Sequence, residues 1–488
     1  MFESHSRPVQ RSSSRGVGAA LAFGWVASVA HSAPIDSQPF TDRRNPPSYR
    51  KLSDAEFARY DLGMQVFNTH FVIAGTPGAG RIDGVGPLFN SSSCDACHNN
   101  GARGRGPTGD GTAPEALVIQ LTGAAARNRI DPEGDPVYGR VFNPLALEGV
   151  PAEGEVRIHY ELRAGHYPDG TAWSLRVPHY ELTRLRYGPV APGTIVKPRL
   201  APALFGAGLL DAITREDADE RATTAVGQYL AGSGGAQAAT AVSTHPAASG
   251  GAQAASAAST HPAASGGAHA ATAAHAGRFG WQATALSVRD QTARAFAREM
   301  GLTSADITSD DCTPAETACL RQPNGGTPEV SDDLFDAVLS FQRWLAVPAS
   351  PTPHPDAAAH GEQTFTDLGC VACHQPHWSV TLTDAAGIPN TATIAPYTDL
   401  RLHNLGPGLA DQTVAGKKIT SQWRTAPLWG LGYRMSLEHF PTFLHDGLAR
   451  SAEEAILWHD GEAAGARERF EHLTADQRKA LLQWVEAL

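Results

Sequence analysis

The chain has 488 residues, enough for two or three domains with sizeable cores, and a formal net charge of −11. That acidity argues against a nucleic-acid partner and is compatible with a small, locally basic protein partner. Only six of its residues are Cys, so each Cys carries information.

Arg7, Arg11 and Arg15 form a positive segment, Gly16 to Ala30 is apolar but too short to span a bilayer, and small residues follow. This pattern predicts a signal peptide over 1–33, cleaved after Ala30 or Ala33, by the general secretory route because no Arg pair is present. Removing residues 1–30 takes away three Arg and one Glu and moves the net charge to −13. No later stretch is long and apolar enough for a membrane helix, so a periplasmic protein without a membrane span is expected.

Ser53-Asp54-Ala55-Glu56 is a capping box, and Phe57, Tyr60, Met64 and Phe67 follow at helical spacing. A Gly-rich turn, 75–86, leads to Cys94-Asp95-Ala96-Cys97-His98. The pattern C-x-x-C-H returns at Cys370-Val371-Ala372-Cys373-His374. It is the attachment pattern of a c-type haem. Two thiols add across the vinyl groups of one porphyrin, and the next residue places an imidazole under the iron. The predicted cofactors are therefore two covalently attached haem c groups, on Cys94 and Cys97 and on Cys370 and Cys373, with His98 and His374 as proximal iron ligands. Such haems require export, which agrees with the N-terminus. A zinc ribbon or a dithiol centre would use the same Cys but would not need His after each pair. The remaining Cys312 and Cys319 are expected to form a disulfide around a small loop.

After His98, 99–111 reads as a Gly/Arg-rich loop, and the helix before the motif is expected to pack on the first haem. From 117 to 187 the pattern alternates, as in Val156-Arg157-Ile158-His159-Tyr160 and Trp173-Ser174-Leu175-Arg176-Val177, and predicts a β-rich insertion. Residues 233–275 repeat Ser-Gly-Gly-Ala, carry almost no large apolar side chain and cannot bury a core. Helices are predicted from Asp290 to Met300 and after Ser331. Two more follow Ser451-Ala452-Glu453-Glu454 and Thr474-Ala475-Asp476-Gln477.

The second half carries several motifs in order. They are Tyr397-Thr398-Asp399-Leu400, His403-Asn404-Leu405-Gly406, Trp423-Arg424-Thr425-Ala426-Pro427-Leu428-Trp429-Gly430, His445-Asp446-Gly447 and Glu453-Glu454-Ala455-Ile456. With Asp83 to Asn90 and Gly277-Arg278-Phe279-Gly280-Trp281, they resemble the bacterial di-haem oxidoreductases, also labelled thiol oxidoreductases. These are relatives of di-haem cytochrome c peroxidases and MauG. The resemblance covers the chain beyond the signal segment, apart from the repeat.

It implies a mainly α protein with two cytochrome-c-like haem domains, the first with a β-rich insertion. The expected divisions are 34–232, the insert 233–276, a helical connection 277–350 and the second haem domain 351–488. The implied activity is reduction of hydrogen peroxide or another small oxidant with electrons from a small periplasmic cytochrome or cupredoxin. A MauG-like oxidase of a protein, thiol or metal, and a plain electron-transfer cytochrome, stand as alternatives. A structural Ca2+ is also allowed for.

The family commonly reads His-Asp-Met-Gly where this chain has Leu405, so a Met ligand there is absent. Met435 and His403 are the candidate distal ligands of the second haem. His159, His166 and His179 follow the first motif and are candidates for the first haem. Peroxide chemistry also needs an acid/base near an open iron. Glu161 and His445 are the candidates for that role. Trp281 is placed either between the haems or in the core. Peroxide is expected to react at the iron held by His98, and electrons to arrive at the haem held by His374.

Overall fold

The computed structural model describes residues 37–40, 45–124, 133–213, 277–349, 355–419, 421–438 and 441–488. The signal segment 1–33 and the repeat insert 233–276 lie outside them. Among the described residues no helix is long and apolar enough to cross a membrane.

Three of the predicted caps form, while Ser331 stands at the N-terminus of Asp332–Trp344 without a side-chain capping bond. Ser53 and Glu56 close a reciprocal capping box on the helix Asp54–Asn68, and Thr474 and Gln477 do the same for Ala475–Val485. Ser451 caps Ala452–Leu457 by accepting from Glu454 N. The Asp54–Asn68 helix buries Tyr60, Met64 and Phe67, but turns Phe57 to solvent. Its neighbour is the helix Asp332–Trp344, with Phe341 5.1 Å from Phe67 and 5.2 Å from Tyr60 between ring centres. Gly63 permits this closeness, since a Cβ there would lie 1.9 Å from the carbonyl oxygen of Ala337.

The expectation of a mainly α fold is overturned. Helix accounts for 29% of residues and strand for 22%, spread over several sheets. The alternating segments do form a hairpin of two 12-residue strands, Glu155–His166 and Ala172–Thr183, in register from Glu155↔Thr183 to His166↔Ala172. However, strands also occur in the second half. Trp378–Thr383 pairs with Pro389–Ile394, and Leu402–Asn404 pairs with Gln422–Arg424. A five-stranded antiparallel sheet then mixes the halves. Its order is Lys418–Ile419, Asp411–Thr413, Ile195–Leu200, Leu117–Thr122, Val141–Phe142. Gln412 sits opposite Val196, more than two hundred residues away in sequence. Pairing at that range leaves no local trace, which is why sequence pattern missed it.

Packing mixes the halves as well. One core cluster holds Phe67, Phe296 and Phe341 together with Trp378, Ile394 and Tyr433. A second takes Tyr167 and Leu175 from the hairpin and packs them with Phe365, Trp458, Phe470 and Trp484. The hairpin is clamped by Arg176, buried, which donates to the carbonyls of Leu448 at 2.8 Å, Gly447 at 2.9 Å and Pro107 at 3.1 Å. Cys312 and Cys319 are joined as a disulfide.

Candidate functional site

The two C-x-x-C-H segments fold alike. Each is one tight turn, closed by His98 N donating to Cys94 O at 2.8 Å and by His374 N donating to Cys370 O at 2.9 Å. Each His then turns its Nδ1 onto a backbone carbonyl, His98 to Pro202 at 2.8 Å and His374 to Tyr397 at 2.9 Å. A donating Nδ1 leaves Nε2 as a lone pair, the tautomer a metal ligand needs. Burial pulls both imidazoles down to about 4, so both are neutral at ordinary pH. Phe67 flanks His98 at 6.4 Å and Phe365 flanks His374 at 6.1 Å.

None of the four motif thiols is in a disulfide. Burial first, helped by nearby carboxylates, pushes Cys94 and Cys97 up to about 12; burial does the same to Cys370. A reactive dithiol needs the opposite shift. Among the described residues the four Cys do not converge on one point, as a zinc ribbon requires.

Beside the second motif lies an apolar cavity of about 480 Å³. Cys370, Cys373 and His374 line it, together with Trp423, His445, His459 and Trp281. Among the described residues Arg103, Arg424, Arg434, Arg467 and Arg469 also line it, and the first four each carry a buried N–H group without a hydrogen-bond partner. An apolar void, a neutral imidazole, two free thiols and unmatched cationic donors fit a haem, whose plate is apolar and whose propionates are anionic.

The other predicted residues fall as follows. His403 is held at both ring nitrogens by carboxylates, Nε2 at 2.9 Å from Asp399 and Nδ1 at 2.9 Å from Glu462. Burial alone would lower it, but the bond to Asp399 and the neighbouring Cys373 thiol outweigh burial and hold it up at about 11. Met435 is half-buried in the second core cluster and is not part of the cavity wall. His445 is buried and stacks on Trp423 at 3.7 Å and 18°, with its Nε2 3.7 Å from Asp446. Burial pulls it to about 4. Arg199 covers the other side of Trp423 at 4.6 Å and pairs with Asp411 through two bonds. Trp281 lines the cavity and bridges the halves: its Nε1 donates to Leu200 O at 2.8 Å, and Arg424 N donates to its carbonyl at 2.9 Å. Glu161 is exposed on the long hairpin, 3.5 Å from His179. His159, paired with Asp110 at 2.6 Å, and His166 are exposed on the same hairpin.

Two residues that sequence reasoning passed over stand closer to the motifs. Glu299 ends the helix Val288–Glu299, and its backbone oxygen accepts from Asn90 N and Ser91 N just ahead of the first motif. Its Oε2 is buried with no partner, and it lies near enough to Cys97 to oppose ionisation of that thiol. Burial lifts its carboxyl to about 7. An acid in the last turn of a helix opposes the macrodipole, and that misplacement was the available signal. His459 donates from Nδ1 to Ala455 O at 2.7 Å, leaving Nε2 without a protein partner. It lines the cavity near enough to His374 to oppose its protonation. Its signal was an imidazole directly after a capped helix.

Comparison with known proteins agrees with the motifs. No curated protein matches. A solved chain of hydrazine synthase from Kuenenia stuttgartiensis is similar at 18% identity over 36% of this chain and 63% of its own, with a TM-score of 0.24. A likeness of that size carries no argument. Residues 249–488 match the family model described as "Di-haem oxidoreductase, putative peroxidase". Through that segment, which includes the second C-x-x-C-H motif, the chain is similar to the di-haem oxidoreductases.

Proposed function

We propose that this protein is an exported di-haem c-type peroxidase, which reduces a peroxide with electrons from a small cytochrome or cupredoxin. The observation that carries the reading is an asymmetry between the two motifs. Beside the first stands an acid with an unpartnered oxygen, Glu299; facing the second stands an imidazole with a free nitrogen, His459. Haem bound at both motifs would pass on the donor's electrons and, at the first, would offer iron to a peroxide oxygen.

Glu299 Oε2, beside the first motif, would take a proton from the peroxide and give it back as the O–O bond breaks. Two electrons and two protons then convert one peroxide to two waters. With a carboxyl lifted to about 7, Glu299 can both accept and give a proton near neutral pH. His98 and His374 would hold the two irons, each imidazole oriented by its bond to a carbonyl. His459, which lines the same cavity as His374, would offer its Nε2 to the second iron, and a haem so held would suit receiving and storing an electron.

Carbon monoxide titration of the reduced protein tests this reading. One molecule bound per chain is expected, rising to two in His459→Ala, with peroxide turnover in the unaltered protein. Two bound in the unaltered protein, or none, would overturn it.

A further inference from the structure

Arg434 sits on the short helix Leu431–Leu437 and is 4% exposed. Its Nη1 donates to Thr442 O at 2.6 Å, while Nε and Nη2 have no partner. Those two atoms form one edge of the guanidinium fork, the edge that grips a carboxylate with two parallel bonds. Arg103 comes from the other half, five residues past His98. It donates to Leu444 O, lies 5.1 Å over the Trp281 ring, and leaves Nε buried without a partner.

Both guanidiniums line the cavity beside Cys370, Cys373 and His374. They are near enough to repel: burial, and then Arg434, pull Arg103 down to about 9. Of the carboxylates that oppose this, Asp446 is engaged by Tyr180 OH at 2.8 Å and by Leu448 N at 3.1 Å. Glu438 is itself lifted by burial. Two buried cations with unmatched donors are costly unless an anion meets them.

We propose that Arg434 and Arg103 together form a carboxylate-binding site, and that its occupant is a propionate of the haem attached at Cys370 and Cys373. The inference rests on the haem reading above. Carboxylate chemistry alone would also admit a free organic acid. The propionate is favoured because most of the cavity wall is apolar and the cavity is continuous with the attachment turn, so the anion arrives on an apolar plate. The site would tie the second haem to the loop that follows the first motif. Positive charge held on a propionate favours the reduced iron, so these residues set the potential of the haem that takes electrons from the donor.

The test uses holoprotein carrying Arg434→Gln or Arg434→Lys. Pyridine haemochrome comes first: two haems per chain keep the haem reading intact, and fewer in the unaltered protein sink that reading by itself. Redox titration then separates the two haems. In Arg434→Gln one potential should fall by a tenfold change in the reduction equilibrium, about 59 mV for one electron. Arg434→Lys, which keeps the charge, should recover most of it, and the other haem should not move. Two bound haems with both potentials unmoved in Arg434→Gln overturn the inference. Benzoate titrated into the unaltered holoprotein should give no spectral change. A saturable change that Arg434→Gln abolishes overturns the propionate assignment in favour of a free acid. If Arg434→Gln loses haem, Arg103→Gln, at a less buried position, carries the same titration with the same outcomes.

Discussion

Replacing Glu299 with Gln separates catalysis from stability. Burial lifts this carboxyl from 4.5 to about 7. In the unfolded chain it ionises first, so the folded state holds the extra proton between those values. Stability therefore falls as pH rises through 4.5 to 7, and the penalty is complete above 7. At 1.36 kcal/mol per pKa unit the full penalty is about 3 kcal/mol. Glu299→Gln cannot ionise and escapes it. Urea denaturation of the holoprotein should show the variant gaining about 3 kcal/mol on the unaltered protein between pH 4.5 and pH 8. Comparing the two proteins at each pH cancels other titrating groups. Peroxide turnover should fall in the variant by about 10²- to 10⁴-fold, the range for loss of a general acid/base. The kcat/KM profile of the unaltered protein should decline below about pH 7, where Glu299 can no longer accept a proton, and the variant should lack that limb. A variant that keeps both the acid limb and the unaltered pH dependence of stability would refute the assignment.

Three further outcomes are expected. Cys94→Ala combined with Cys97→Ala should reduce the haem count from two to one by pyridine haemochrome and intact mass; an unchanged count would exclude covalent attachment there. Arg176→Ala leaves three carbonyls without their donor and removes the guanidinium stacked 4.1 Å over Tyr160, so it should lower stability by about 3 kcal/mol in a urea titration. Deleting residues 233–275, which hold almost no large apolar side chain, should leave both haems bound and thermal stability largely intact; loss of haem would show that the repeat packs.

What could be read from sequence was what is fixed by neighbours. The C-x-x-C-H turns, the caps at Ser53, Ser451 and Thr474, and the alternation around Val156 and Trp173 all depend on spacing of a few residues. The fold class was lost because the second half's strands are short and partly polar, as in Asp411-Gln412-Thr413, and gain their register from Ile195–Leu200 far away. The surroundings of single side chains were hidden for the same reason. His403 reads as a ligand until Glu462, 59 residues on, is seen to occupy its second nitrogen. Glu161 follows the first motif in sequence, but the hairpin carries it to solvent. Glu299 and His459 are distant in sequence from the motifs they face.

The two motifs present the iron with the same proximal chemistry, a neutral imidazole whose Nδ1 donates to a carbonyl. If haems bind at both motifs as proposed, equal imidazoles would not give them different work, so the difference would come from the other groups near each motif. His459 at the second motif costs little, because burial keeps it neutral and Ala455 O satisfies its Nδ1. Glu299 at the first is expensive: a helix C-terminus, a buried oxygen with no partner and a carboxyl raised toward 7. A fold that needed only to pass electrons could fill that position with an apolar or amide side chain and be more stable for it. Keeping a costly acid there is the physical ground for the proposal that proton transfer, and with it any peroxide chemistry, belongs to the His98 side.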